Sequence, residues 1–142
     1  TPYRIIYSQR VGENPKDTIK RNPINEDDLI KTISKKHNLE ILNFSKLNFE
    51  KQIITMQTAN LFICVHGSGP ANVAFMQKNS HFIEIMPYKY SLPTLSMSKI
   101  LTSALGINYY RVDGVKSDEK QRYKVDIKDI LKIIFNVTQI SV

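Results

Sequence analysis

The 142 residues carry 42% hydrophobic and 23% charged side chains, the makeup of one soluble globular domain able to bury a core without staples. No run of about 18 apolar residues is present, so no segment is a membrane-spanning helix, and a single cysteine, Cys64, excludes an internal disulfide and a CxxC metal site. The net charge of +7 is spread over lysines that fall on the polar faces of expected helices, with Lys35-Lys36-His37 as the one tight cluster; no basic-aromatic run of RNA-binding type appears, and no nucleic-acid partner is expected.

The chain opens at Thr1 without Met and enters a strand-like run almost at once, which reads as a piece of a longer protein. Arg4–Ser8 is β-branched and aromatic, a buried strand. Gln9–Pro23 is polar and punctuated by Gly12, Pro15 and Pro23, a long loop. Asn22 or Asn25 caps a helix whose first turn holds Glu26, Asp27 and Asp28 and whose apolar face is Leu29, Ile30 and Ile33, ending near Asn38. Leu39–Phe44 is a second strand. Asn48 or Ser45 starts a second helix through Thr58, with Phe49, Ile53 and Met56 on one face.

Leu61–Val65 (LFICV) has no polar alternation, the mark of a strand buried on both faces in a helix-covered parallel sheet. Cys64 within it is a small buried hydrophobe. The run breaks into His66-Gly67-Ser68-Gly69-Pro70, after which Ala71–Met76 is helical, His81–Met86 is a fourth strand, Thr94–Leu105 a helix stopped by Gly106, and Ile107–Val112 a fifth strand. A last amphipathic helix opens at Asp126 and Asp129 and carries Ile127, Ile130, Leu131 and Ile134. This alternation predicts a doubly wound α/β domain, a mostly parallel five-stranded sheet with helices on both faces. The expected strand order is 2-1-3-4-5, or 3-2-1-4-5 with one more short strand.

For the first order, the ligand crevice lies where the loops after strands one and three meet, bringing Arg10 to His66–Pro70. Gly67 and Gly69 let the backbone approach a ligand closely, the amides of the following helix start favour an anion, Pro70 suits a first helical turn, Ser68 adds a hydroxyl, and Arg10 offers a fork to a diphosphate. Each also has a plainer role: the glycines a tight turn, Arg10 a solvated loop residue, His66 a turn-tying histidine, Asn72 a local hydrogen bond. Glu84 sits in an apolar strand, where an unpaired carboxylate is expensive; an edge position or hydrogen bonds to ribose hydroxyls would explain it. The nucleophile elbow, the P-loop and H-E-x-x-H are absent, G-x-G-x-x-G is broken at Asn72, and there is no Asp-x-Asp. No metal and no cofactor are expected.

The stretch ICVHGSGPANVAFMQKNSHFIEIMP, ending at Pro87, resembles the signature of glycosyltransferase family 61, which runs from an apolar strand through H-G-x-G-L-x-N to a strand ending I-E-x-x-P. The family includes the EGF-domain O-GlcNAc transferase and plant xylosyltransferases. The opening IIYSQR followed by Asn25-Glu26 is similar to the family's strand–Arg–loop–Asn-Glu course; Pro70 departs from it, standing where a Leu is usual. The resemblance implies the Rossmann-like C-terminal half of a two-domain GT-B enzyme. Such an enzyme is inverting and metal-independent, transferring sugar from a UDP-sugar to a hydroxyl of a protein or glycan, with an N-terminal domain of the parent chain contributing the acceptor site. It puts Arg10, His66, Gly67, Ser68, Gly69 and Asn72 on the diphosphate and sugar and Glu84 on the nucleoside side, and leaves the base unassigned. Eukaryotic relatives work in the secretory lumen, and a bacterial one would be cytoplasmic. Two other readings stand beside it: a non-catalytic nucleotide- or phosphate-binding α/β module, and a flavodoxin-like or sugar-phosphate protein. Two sequons, Asn43-Phe44-Ser45 and Asn136-Val137-Thr138, are near chance in so Asn-rich a chain.

Overall fold

The computed structural model describes residues 2–10, 21–67, 69–88, 97–117 and 122–140. Five strands form one sheet in the order β2-β1-β3-β4-β5: β1 Ile5–Ser8, β2 Leu39–Leu42, β3 Leu61–Val65, β4 His81–Met86 and β5 Asn108–Asp113. Every pairing is parallel, with Ile5 opposite Leu39 and Leu61, Leu61 opposite His81, and His81 opposite Asn108. The first of the two expected strand orders is therefore the observed one.

Parallel strands require crossovers, and these bury both faces of the sheet. Side chains alternate along each strand, so Ile5, Tyr7, Leu61, Ile63, Ile83 and Ile85 meet helix α1 (Glu26–Ser34) and helix α4 (Ile127–Ile140) through Leu29, Ile33, Ile130 and Ile134. On the other face Ile6, Phe62, Cys64 and Phe82 pack against helix α2 (Phe49–Thr58) and helix α3 (Met97–Leu105), with Met56 buried and Leu101 partly so. Phe62 stacks on Phe82 at 5.5 Å between ring centroids. The centre of β3 is sealed from both sides, which is why its sequence lacks alternation.

Local departures from expectation have identifiable causes. Asn48 caps α2, its side chain accepting from the Lys51 amide at 2.8 Å. Asn25 precedes α1 but makes no side-chain cap. Its amide instead clamps a distant segment, donating to the Val125 carbonyl at 2.9 Å and accepting from the Val125 amide at 3.0 Å. Helix α1 ends at Ser34 rather than near Asn38, and β2 ends at Leu42 because Phe44–Lys46 turns into a 3-10 helix capped by Asn43. Phe49, expected on the buried face of α2, is 66% exposed and sits edge-on to Phe75 at 5.8 Å between ring centroids. The segment after the glycine turn is a 3-10 helix over Gly69–Phe75, not an α-helix from Ala71. Helix α3 stops where Gly106 takes a left-handed φ of 71°; the expected start at Thr94 lies outside the described residues. A small antiparallel pair, β6 Val115–Lys116 with β7 Tyr123–Lys124, was not foreseen.

Candidate functional site

Strands β1 and β3 lie side by side while their crossovers leave in opposite directions, so a crevice opens beyond Ser8 and Cys64, which are register partners. A cleft of about 560 Å³ fills that crevice, lined by Gln9, Arg10 and Arg21 on one side and by His66, Gly67 and Asn72 on the other. Asn43 and Gln52 extend the wall toward α2.

Gly67 is the pivot of this corner. Its φ of 152° is one that side-chain-bearing residues rarely adopt. A Cβ placed there would stand 3.5 Å from Arg10 Nη1 and 3.9 Å from Arg21 Nη1. Two guanidiniums from opposite ends of a polar loop thus flank one bare stretch of backbone. Among the described residues neither has an acidic partner; the ion pairs there are Arg4–Glu40, His66–Glu84 and Arg111–Asp113. Like charges facing one point repel, and an anion between them reverses the sign of that interaction. The backbone holds the pair in place: Asn22 donates its side-chain amide to the Arg10 carbonyl at 2.9 Å, and the Tyr123 hydroxyl donates to the Arg21 carbonyl.

Gly69 answers a different need. A Cβ on it would come within 2.8 Å of Cys64 Sγ, so the turn packs directly on the end of β3. Cys64 is a buried thiol whose pKa is pushed up to about 12, chiefly by burial; the Glu84 charge adds to the rise, while a hydrogen bond from Ser8 and the Arg10 charge oppose it. It is therefore a packing residue and not a nucleophile. Asn72 donates its side-chain amide to the Gly69 carbonyl at 3.0 Å, tying the turn to the 3-10 helix. That helix spans seven residues, so an anion site built on the dipole of a following α-helix does not describe this corner.

His66 lines the cleft with its side chain one-third exposed, and its Nδ1 lies 3.0 Å from Glu84 Oε2. Glu84 itself has no exposed surface. It accepts from Ser98 Oγ at 2.8 Å on one oxygen and from the Tyr109 hydroxyl at 2.5 Å on the other. Neither an edge position nor direct contact with a nucleoside fits that placement: the carboxylate lies beneath the histidine, in the inner layer between β4, β5 and α3. Ser68 lies outside the described residues. Of the six other expected site residues, Arg10, His66, Gly67, Gly69 and Asn72 line the cleft, with Gly69 and Asn72 also shaping the turn, and Glu84 lies behind it.

Arg21 was missed by the sequence reading. It sits in a polar stretch with no periodicity, and only its position on the return of the loop that leaves β1 could have marked it. Behind the arginines, Glu26 is 8% exposed and receives the Tyr7 hydroxyl at 2.8 Å and Gln9 Nε2 at 3.2 Å. Burial raises its pKa, the Tyr7 and Gln9 hydrogen bonds pull it down, and neighbouring Asp27 adds slightly to the rise. Glu26 anchors the exit of β1, a role beyond the dipole match expected of it. Among the described residues no three His, Cys, Asp or Glu side chains gather as a metal site.

A sequence profile of glycosyltransferase 61 matches residues 1–83, from before β1 to the middle of β4, and so takes in both arginines and the whole glycine turn. The chain belongs to the glycosyltransferase 61 family. Glycosyl transfer from a sugar donor to an acceptor is the activity that this membership implies at the level of the family. No curated protein matches the chain. In this family member the matched stretch ends one residue before Glu84, while the corner around Gly67 lies wholly inside it.

Proposed function

We propose that the chain is the donor-binding part of a glycosyltransferase, holding a nucleotide-sugar, of UDP type, by its diphosphate between Arg10, Arg21 and the backbone at Gly67. The convergence of two guanidiniums without acidic partners on one Cβ-free corner carries this reading. Guanidinium forks match the paired oxygens of a diphosphate, and a corner open at the carboxyl ends of parallel strands admits it. The transfer is inverting and independent of metal: a base takes the proton of the acceptor hydroxyl, the hydroxyl oxygen attacks the anomeric carbon, and the sugar–phosphate bond breaks with its electron pair leaving on the diphosphate. The arginine pair stabilises that growing charge. A protein or glycan hydroxyl is the acceptor, and an N-terminal domain of the same parent chain, in a GT-B arrangement, supplies its site.

Titration calorimetry with UDP tests the donor site. Wild type should bind, and Gly67→Val, which places branched carbon where the guanidiniums converge, should weaken binding by at least about tenfold, or 1.4 kcal/mol, with an unchanged circular dichroism spectrum. Equal affinities in the two proteins refute the site.

A further inference from the structure

Gln9 is the first residue beyond β1 and borders the cleft, and the two ends of its amide keep different company. Its Nε2 donates to Glu26 Oε1 at 3.2 Å, and the Tyr7 hydroxyl donates to the other oxygen of the same carboxylate at 2.8 Å. An ionised carboxylate only accepts, so the amide has to turn its NH2 end toward it. Glu26 is buried at the first turn of α1 and therefore holds the amide from behind. The carbonyl oxygen, Oε1, is the end left for the cleft. Among the described residues nothing donates to it, and it is not sealed from solvent.

The same wall carries Arg10 and Arg21, which offer only donors. A diphosphate matches them, but its oxygens would repel the Gln9 carbonyl. One fixed acceptor on a wall with two guanidiniums therefore fits a ligand that is anionic at one point and bears an O–H close by. Turned over, the same amide would offer its N–H groups to phosphate and that distinction would go.

We propose that Gln9 is a specificity-determining residue of the donor site: its Oε1 accepts from a hydroxyl adjoining the diphosphate, on the ribose or on the transferred sugar, and Glu26 is the positioning residue that keeps the acceptor end of the amide in the cleft. The role rests on the donor-site reading above. It lets the cleft distinguish a nucleotide-sugar from inorganic pyrophosphate, since the guanidiniums meet the same kind of oxygen in both.

Calorimetry on the full chain at about pH 7, well above the usual carboxyl range, with pyrophosphate, UDP and UDP-N-acetylglucosamine tests this. Gln9→Met keeps the length of the side chain and removes the acceptor. It should leave pyrophosphate affinity within about twofold and weaken the UDP-sugar by about three- to tenfold, the effect of one neutral hydrogen bond. An equal loss for UDP assigns the hydroxyl to the ribose, and a loss confined to the UDP-sugar assigns it to the sugar. Nucleotide affinities that do not fall, or that fall in step with pyrophosphate, overturn the role of Gln9 and leave the donor site standing. Wild type that binds neither pyrophosphate nor nucleotide removes the donor site and this proposal with it. Side-chain amide NMR checks the positioning: one Gln9 Nε2 proton should lie downfield with slowed exchange in wild type, and Glu26→Gln should move it. A Gln9 amide signal identical in the two proteins overturns the role of Glu26.

Discussion

Arg4 and Arg10 stand at opposite ends of the same short strand and live different lives. At the amino end, Arg4 forks onto Glu40 at 2.6 and 2.9 Å and also reaches Thr58. At the carboxyl end, Arg10 and Arg21 face the bare backbone of Gly67 with no carboxylate to meet them among the described residues. A paired guanidinium is a fastener between β1 and β2. A couple without an acidic partner among the described residues is what the proposed donor site would use to hold an anion. The residue type is the same, and what distinguishes structure from recognition is whether the fold has already supplied the counter-charge.

That contrast can be broken experimentally. Replacing both Arg10 and Arg21 by Ala should reduce UDP affinity by at least about 100-fold, since each charge-assisted hydrogen bond contributes about 1.5–3 kcal/mol; calorimetry with an affinity within threefold of wild type would erase the distinction. Gly69→Ala should lower stability by about 1–3 kcal/mol, because its methyl group meets Cys64 Sγ at 2.8 Å. Adding Cys64→Ala should restore at least half of that loss in urea unfolding, and failure of the rescue would deny the contact. Arg4→Ala, at the other end, should change stability by no more than about 1 kcal/mol, as expected for a pair about one-third exposed, and leave UDP affinity alone.

The smallest effect concerns pH. Burial raises the Glu26 pKa above its ordinary 4.5, so the folded state holds that proton more tightly than the unfolded chain. The resulting stability is fully present below pH 4.5 and is lost as pH rises through the folded value. Urea midpoints across that window should fall more steeply for wild type than for Glu26→Gln; parallel curves would show that the carboxyl does not titrate this way.

Much of this architecture was legible in the residues. The unbroken apolar run Leu61–Val65 announced a doubly covered strand, and the structure places it at the centre of the sheet with those bounds. The alternation of elements then fixed where β1 and β3 had to part, and with it the meeting of Arg10 and Gly67. The details that escaped depend on partners far away in sequence. Asn25 looked like a cap, but Val125 lies 100 residues on and competes for its amide. Phe49 fitted a helical stripe, yet the sheet ends before it can be covered. The two-residue pairing of β6 and β7 is too short to leave a periodic trace. Glu84 drew notice as a carboxylate in an apolar strand, but its role hung on Ser98 and Tyr109, which sequence does not bring together. Arg21 had no pattern at all.

Tyr123 gives the site a longer reach than its own lining. Its buried ring belongs to the core that seats α4, while its hydroxyl grips the backbone of Arg21. One side chain thereby joins the packing under the last helix to the backbone at Arg21, so that, on the proposed donor site, ligand binding and the seating of that helix would strengthen each other by the same amount.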